Sequence, residues 1–162
     1  MNLSLRVPTA ADYLYVASWI PDVDACRVWA GPRVPFPFSA TMLPELLVLD
    51  GGASYCLDGG AGTPVGFGQY WPRPDGAVHL LRIIVSPGHR GAGLGRELCR
   101  RLIAMALEAP GATSVTLNVY PDNPAAVCLY QSLGFREDES RSRGDSLFMR
   151  LAASRVQDVR TP

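Results

Sequence analysis

The sequence predicts a single-domain protein of the α+β or mixed α/β class. Three observations predict it. Helical periodicity dominates the first 50 residues. Three apolar, strand-like stretches follow, divided by Gly- and Pro-rich turns. The remainder alternates helix, strand and helix before closing on two further strand-like segments. A chain of 162 residues suits one domain and buries roughly 70% of the surface that its unfolded form exposes. The expected division is one domain over residues 1–151 and a polar, frayed tail over 152–162.

The elements follow in order. Leu3, Leu5 and Val7 alternate with polar residues and predict a short strand. Thr9 and Asp12 are spaced as a capping box, with Asp in place of Glu, so a helix should run to about Ile20 and stop at Pro21. A second short helix is expected over residues 22–30. Three prolines and two phenylalanines make residues 31–38 an ordered loop. Residues 41–49 read as a further helix, closed by Asp50-Gly51-Gly52. Residues 53–57 and 65–71 read as strands around the turn Asp58-Gly59-Gly60-Ala61-Gly62. Residues 77–85 form a long apolar strand with β-branched residues at its end. Leu94, Leu98, Leu102, Met105 and Ala106 recur at helical spacing and place a helix over 91–109. A strand over 114–120 carries Val115, Leu117 and Val119 on one face. Asn123 and Pro124 open a helix that Gly134 stops. Residues 135–139 and 146–151 are expected to pair as a final hairpin.

Charge and composition exclude several classes. Fifteen Lys+Arg balance fifteen Asp+Glu, so the chain lacks the basic surplus that a sequence-independent grip on nucleic acid needs. No run of 18 apolar residues occurs, so no membrane span is expected. The first residues do not read as a secretory signal, which predicts a cytoplasmic location. Cys26, Cys56, Cys99 and Cys128 are scattered, and only two histidines are present. Reduced thiols and no metal site are expected.

The chemistry concentrates in Ile83-Ile84-Val85-Ser86-Pro87-Gly88-His89-Arg90-Gly91-Ala92-Gly93-Leu94-Gly95. An apolar strand enters a glycine-rich turn that opens a helix. Such a turn points successive N–H groups outward, and the helix N-terminus adds partial positive charge, which together suit a phosphate or pyrophosphate. The P-loop pattern GxxxxGK[ST] is absent. The glycine spacing is GxGxG rather than GxGxxG, and Thr113, Ser114 and Val115 stand where a dinucleotide site would place an acid.

The pattern resembles the GNAT superfamily of acyl-CoA N-acyltransferases. Arg90-Gly91-Ala92-Gly93-Leu94-Gly95 is similar to its R/Q-x-x-G-x-G/A loop. Residues 117–135, LNVYPDNPAAVCLYQSLGF, resemble its strand–Asn–helix–LYxxxGF block. The clear resemblance covers about residues 77–136. It implies a central mixed, mostly antiparallel sheet flanked by helices. It implies acetyl-CoA as cosubstrate, with the pyrophosphate on the amides of Arg90, Gly91, Ala92, Gly93, Leu94 and Gly95. The pantetheine arm would lie along Ile83, Ile84 and Val85, and Asn123 would contact it besides capping its helix. It implies transfer of an acetyl group to a primary amine, of a small molecule or a peptide N-terminus, by direct attack in a ternary complex. A non-catalytic acyl-CoA sensor on the same fold is the alternative, and a homodimer is left open.

Two residues carry the expected proton transfers. The resemblance makes Tyr130 the general acid for the departing thiolate, and a phenol of pKa about 10 suits that task. His79 is the candidate base, where the family often keeps a base-like Glu, and a free imidazole titrates near 6.5. Strand alternation would put His79, Leu81, Ile83 and Val85 on one face and Arg82 on the other. The ribosomal-protein alanine acetyltransferases of this superfamily carry Glu where this chain has Asn118, which cannot accept a proton and argues against that acceptor. Acceptor recognition is expected from Trp19, Asp22, Asp24, Trp29, Phe36 and Phe38, whose rings and carboxylates suit a cationic amine.

Overall fold

The computed structural model describes residues 2–155. Seven strands form one sheet in the order β1-β2-β3-β4-β5-β7-β6. They are β1 (Ser4–Arg6), β2 (Ala53–Asp58), β3 (Pro64–Pro72), β4 (Ala77–Val85), β5 (Ser114–Val119), β6 (Arg136–Glu137) and β7 (Leu147–Ala152). Neighbours pair antiparallel except β4 and β5, which are parallel and joined through a helix. The mixed, mostly antiparallel sheet matches the expected fold class.

Helices cover both faces. On one, α4 (Leu94–Leu107) and α5 (Pro124–Ser132) pack on the sheet. Leu98, Cys99, Leu102, Ile103 and Ala106 of α4 are fully buried among Leu57, Val78, Leu80 and Leu117. Gly68 permits the close approach: a Cβ there would sit 2.6 Å from Leu102 Cδ1. On the other face lie α1 (Ala10–Ser18), α2 (Val23–Ala30) and the single-turn α3 (Leu43–Leu46). Val16, Trp19, Cys26, Trp29 and Leu43 close a second core over Cys56 and Phe67. The capping box of α1 forms, with Asp12 Oδ2 accepting from the Thr9 amide at 2.6 Å. Arg6 ties this turn to the sheet, donating to Asp12 Oδ2 at 2.6 Å and Asp58 Oδ2 at 2.7 Å.

Several expectations are corrected. The helix expected over 41–49 is a 3₁₀ turn, Ala40–Met42, followed by α3, because the chain leaves the helix at Leu47, whose carbonyl accepts from Gln69 Nε2 at 2.7 Å. The helix expected from 91 starts at Leu94, because Gly91 and Gly93 both take φ +79° and form a left-handed turn ahead of it. The first strand of the final hairpin is two residues long. The last strand runs to Ala152, one residue beyond the strand expected over 146–151, and the Ala153 amide donates to Thr113 O at 3.0 Å. The rest of the expected tail, 156–162, lies outside the described residues.

The largest correction is in β4. Gln69 pairs with Leu81 and Phe67 with Ile84, so Arg82 and Ile83 together face Gly68. This bulge breaks the alternation. Val78 and Leu80 before it, and Ile83 and Val85 after it, face the α4 core. His79, Arg82 and Ile84 occupy the opposite face. His79 is therefore not on a face with Ile83 and Val85, and Arg82 is not opposite His79. Arg82 sits at φ 53°, alone among the described non-glycine residues in having positive φ.

Candidate active site

Pairing of β4 with β5 runs from Ala77–Ser114 to Leu80–Leu117 and ends there. Beyond it the strands part, because β4 stays with β3 through Val85. The β5-facing edge of residues 81–85 is thereby freed of strand partners. A cavity of about 580 Å³ opens along this edge, a volume typical of ligand sites. Ile83, Ile84 and Val85 form its strand wall. Trp19 and Trp29 close it from one face of the sheet, and Ala126, Leu129 and Tyr130 of α5 from the other.

Arg90, Gly91 and Gly95 line the end where β4 meets α4. The first helical hydrogen bond of α4 runs from the Glu97 amide to Gly93 O, so the amides of Leu94, Gly95 and Arg96 precede the ladder and need acceptors from outside it. Gly91 and Gly93 hold the turn in its left-handed form, and a Cβ at either would meet open space, so the loop is constrained by φ rather than by packing. Arg90 Nε donates to Val85 O at 3.3 Å, which holds its guanidinium at this end. Ala92, Gly93 and Leu94 do not line the cavity, and the Leu94 side chain enters the core.

Asn123 caps α5, accepting from the Ala126 amide at 3.4 Å, and also lines the cavity. Tyr130 packs edge-on against Phe135 and lines the cavity although only 8% exposed. Its hydroxyl has no hydrogen-bond partner among the described residues. Burial raises its pKa well above the usual phenol value, so the proton stays on the oxygen until a strong base approaches. Cys99, the nearest thiol to influence it, is buried and pushed up to about 12, which removes it as a nucleophile.

His79 lies elsewhere. It lines a second cavity of about 410 Å³ with Trp71, Arg73, Thr116, Asn118, Arg141 and Phe148. The sequence brings Tyr130, Asn123, Ile83, Ile84, Val85, Arg90, Gly91 and Gly95 to one cleft and His79 to another. The two clefts share no lining residue, but His79 precedes Leu80 and Asn118 follows Leu117, the last pair before the strands part. Asn118 Nδ2 donates to His79 Nε2 at 3.3 Å, so the proton sits on Nδ1, which donates to Thr116 Oγ1 at 2.9 Å. Burial, with smaller contributions from Arg73 and Arg141, lowers the imidazole pKa to about 4. It is neutral at ordinary pH, and a weaker base than the sequence suggested.

The expected acceptor residues are also redistributed. Asp22 caps α2 through the Ala25 amide, and Asp24 and Asp122 pair with Arg27 at the surface. Trp29 Nε1 donates to the Arg82 carbonyl at 2.8 Å. Phe36 and Phe38 stack edge-to-face against the second core and do not line the cleft. The bulge at Arg82 is what sequence reasoning missed, since an uninterrupted apolar strand gives no sign of the inserted residue; Arg82 itself was open to a salt-bridged or a substrate-lining reading, and it forms no salt bridge with the described residues.

A sequence profile of the acetyltransferase (GNAT) family matches residues 23–135. The chain belongs to the GNAT acetyltransferase family. It is 39% identical over 83 residues to the ribosomal protein bS18-alanine N-acetyltransferase of Escherichia coli K12, covering 46% of this chain and 55% of the relative. It is 36% identical over 78 residues to an L-amino acid N-acyltransferase of the same organism, covering 46% of this chain and 45% of that one. The matched stretch thus spans about half the length of these GNAT relatives. The fold extends further. A spermidine N-acetyltransferase from Vibrio cholerae, solved with CoA and spermine, superposes with a TM-score of 0.78 at 20% identity, over 96% of this chain and 98% of that one. An aminoglycoside acetyltransferase solved with coenzyme A and kanamycin gives 0.76 at 18% identity, over 99% and 100%. Among the described residues of this GNAT chain, no group of three His, Cys, Asp or Glu side chains is placed to hold a metal ion, and no helix is long and apolar enough to cross a membrane.

Proposed function

We propose that the protein is an N-acetyltransferase that moves an acetyl group from acetyl-CoA to a primary amine of a small molecule or a peptide N-terminus. The observation that carries this reading is the fork between β4 and β5, with free strand edge on one wall, helix-start amides at one end and Tyr130 across it. The GNAT membership and the CoA-bound structures of similar fold support it.

The residues present fit acetyl-CoA. The Leu94, Gly95 and Arg96 amides, the Gly91–Gly93 turn and Arg90 form an anion cradle for the pyrophosphate. The open edge of Ile83 to Val85 offers backbone groups to the amide-bearing pantetheine arm, as an added strand would use them. Acetyl-CoA supplies the acetyl group as a thioester. Tyr130 lines the cleft with its hydroxyl still protonated and donates to the sulfur as the C–S bond breaks, its raised pKa making this a hydrogen bond that hands over the proton only as thiolate charge develops. Trp19 and Trp29 exclude water from the same space. The acceptor amine must arrive unprotonated or lose its proton on the way. His79, held in one tautomer by Thr116 and Asn118 beside the fork, is the proposed relay for that proton through water.

The test is product analysis by mass spectrometry after incubation with acetyl-CoA and a panel of amines. An acetylated amine supports the reading. Tight binding of acetyl-CoA with no acetylated product from any amine reduces the protein to an acyl-CoA sensor.

A further inference from the structure

Arg82 is a half-buried cation without an anion. Its side chain turns to the α1/α2 face, where Nη1 donates to Gln69 Oε1 at 2.8 Å and to Leu47 O at 3.4 Å, both neutral acceptors. Its Nε is buried and has no hydrogen-bond partner. No described carboxylate lies within ion-pair distance of it. Of the acids on this side of the sheet, Asp12 and Asp58 pair with Arg6, Asp24 and Asp122 with Arg27, and Asp22 caps α2, while Glu45 and Asp50 form no ion pair with Arg82. The nearby charge that acts on Arg82 is a second cation, Arg33, which with burial lowers its pKa. Removing a guanidinium from water beside a like charge is costly unless an anion joins it.

The surroundings are built to hold this side chain in place. Gln69 is fully buried, and its Nε2 is fixed by Leu47 O at 2.7 Å and Ser54 Oγ at 2.8 Å, which leaves Oε1 for Arg82. The main chain of Arg82 is held in the bulge by the Trp29 indole. The following residue, Ile83, lines the cleft, and so does Trp29. The arginine thus stands just past the point where β4 leaves β5, between residues that line the cleft, although it does not itself line it. Asp122, paired with Arg27, is the one carboxylate among the described residues that line the cleft.

We propose that Arg82 is a specificity-determining residue that pairs with a carboxylate on the acceptor, so that the acceptor class is amines bearing a carboxylate, of the α-amino acid type. This rests on the transferase reading and narrows it. The guanidinium keeps Nη2 unengaged by the protein, and a carboxylate that reached it, with a small shift to open the buried Nε, would meet the planar fork with two hydrogen bonds. A polyamine brings no anion to Arg82.

The experiment compares matched acceptors. Acetyl transfer is measured for the twenty common L-amino acids, for the amides of the best of them, and for spermidine. The wild type is expected to favour an amino acid over its own amide at least tenfold in kcat/KM. In Arg82→Gln this ratio should fall to near one, with Arg82→Lys between. An equal loss for acid and amide in the variant would make Arg82 a structural residue, and a wild type that prefers the amide or spermidine would overturn the proposal without any variant. Should no amine be acetylated although acetyl-CoA binds, the transferase reading fails first. Thermal shift in saturating CoA, with phenylalanine against phenylalaninamide, then decides the carboxylate site alone. A larger shift for the acid supports it, and equal shifts or none remove it.

Discussion

The indole Nε1 of Trp29 donates to the main-chain carbonyl of Arg82 at 2.8 Å, tying α2 to the bulge of β4. One hydrogen bond thus joins the helix that walls the cleft to the strand residue that interrupts the sheet. It satisfies a carbonyl that the bulge leaves without a ladder partner. Trp29→Phe keeps most of the ring volume but orphans that carbonyl. It should cost about 1–3 kcal/mol in urea unfolding. A variant within about 0.5 kcal/mol of wild type would show that the carbonyl finds water instead.

Tyr130→Phe removes a hydroxyl that the protein does not otherwise use. The melting temperature and acetyl-CoA affinity should stay close to wild type, while kcat falls by about 10²–10⁴-fold. Steady-state kinetics beside calorimetric binding separates the two effects. Unchanged turnover would make Tyr130 a packing partner of Phe135.

Gly95 lines the cleft at the helix start, and a Cβ there would make ordinary contacts, 3.4 Å to Leu129 and 3.8 Å to Val85. Gly95→Asp therefore adds negative charge with little strain. Acetyl-CoA at a hundred times its dissociation constant should stabilise the wild type by about 2.7 kcal/mol and the variant hardly at all. An equal thermal shift in both would move the pyrophosphate away from this loop.

His79 should shape stability rather than the rate profile near neutral pH. Its folded pKa of about 4 lies below the free value of 6.5, so the unfolded chain binds the extra proton between them. Stability is lost as pH falls from 6.5 towards 4, by about 3 kcal/mol. His79→Gln should lose that dependence. The limb of kcat/KM between pH 6 and 9 should instead follow the acceptor amine and be shared by both proteins. A rate limb near 6.5 in the wild type alone would restore an ordinary imidazole base.

A separate acid limb belongs to Asp12, which Arg6 holds at about 2 against an ordinary 3.8. Its contribution is present above 3.8 and is lost as pH falls through 2. Arg6→Met should flatten stability below pH 4 while leaving the His79 window intact, as measured by urea unfolding from pH 2 to 7.

The legible parts of the fold were those fixed by local pattern. Leu98, Leu102 and Ala106 recur at helical spacing and are fully buried in α4. Gly91, Gly93 and Gly95 mark the turn and helix start at one end of the cleft, and Asn123 caps α5 as its position before Pro124 suggested. The bulge at Arg82 was not legible, because one inserted residue changes no composition and no turn signal. It is fixed by tertiary contacts, Trp29 from α2 and Gln69 from β3, that adjacent sequence does not announce. That single residue moved His79 off the face of Ile83 and Val85. The acids of the early helices misled for a similar reason: Asp22 and Asp24 suit a cationic ligand by type but are spent on a cap and a surface pair.

The claim on which the account turns is that the fork between β4 and β5 passes an acetyl group from CoA to an amine. The most direct measurement is release of free thiol from saturating acetyl-CoA as an amine is titrated in. The account predicts a rate that rises with amine, saturates, and is lost in Gly95→Asp. Thiol release independent of amine, or none despite calorimetric binding of acetyl-CoA, would contradict it.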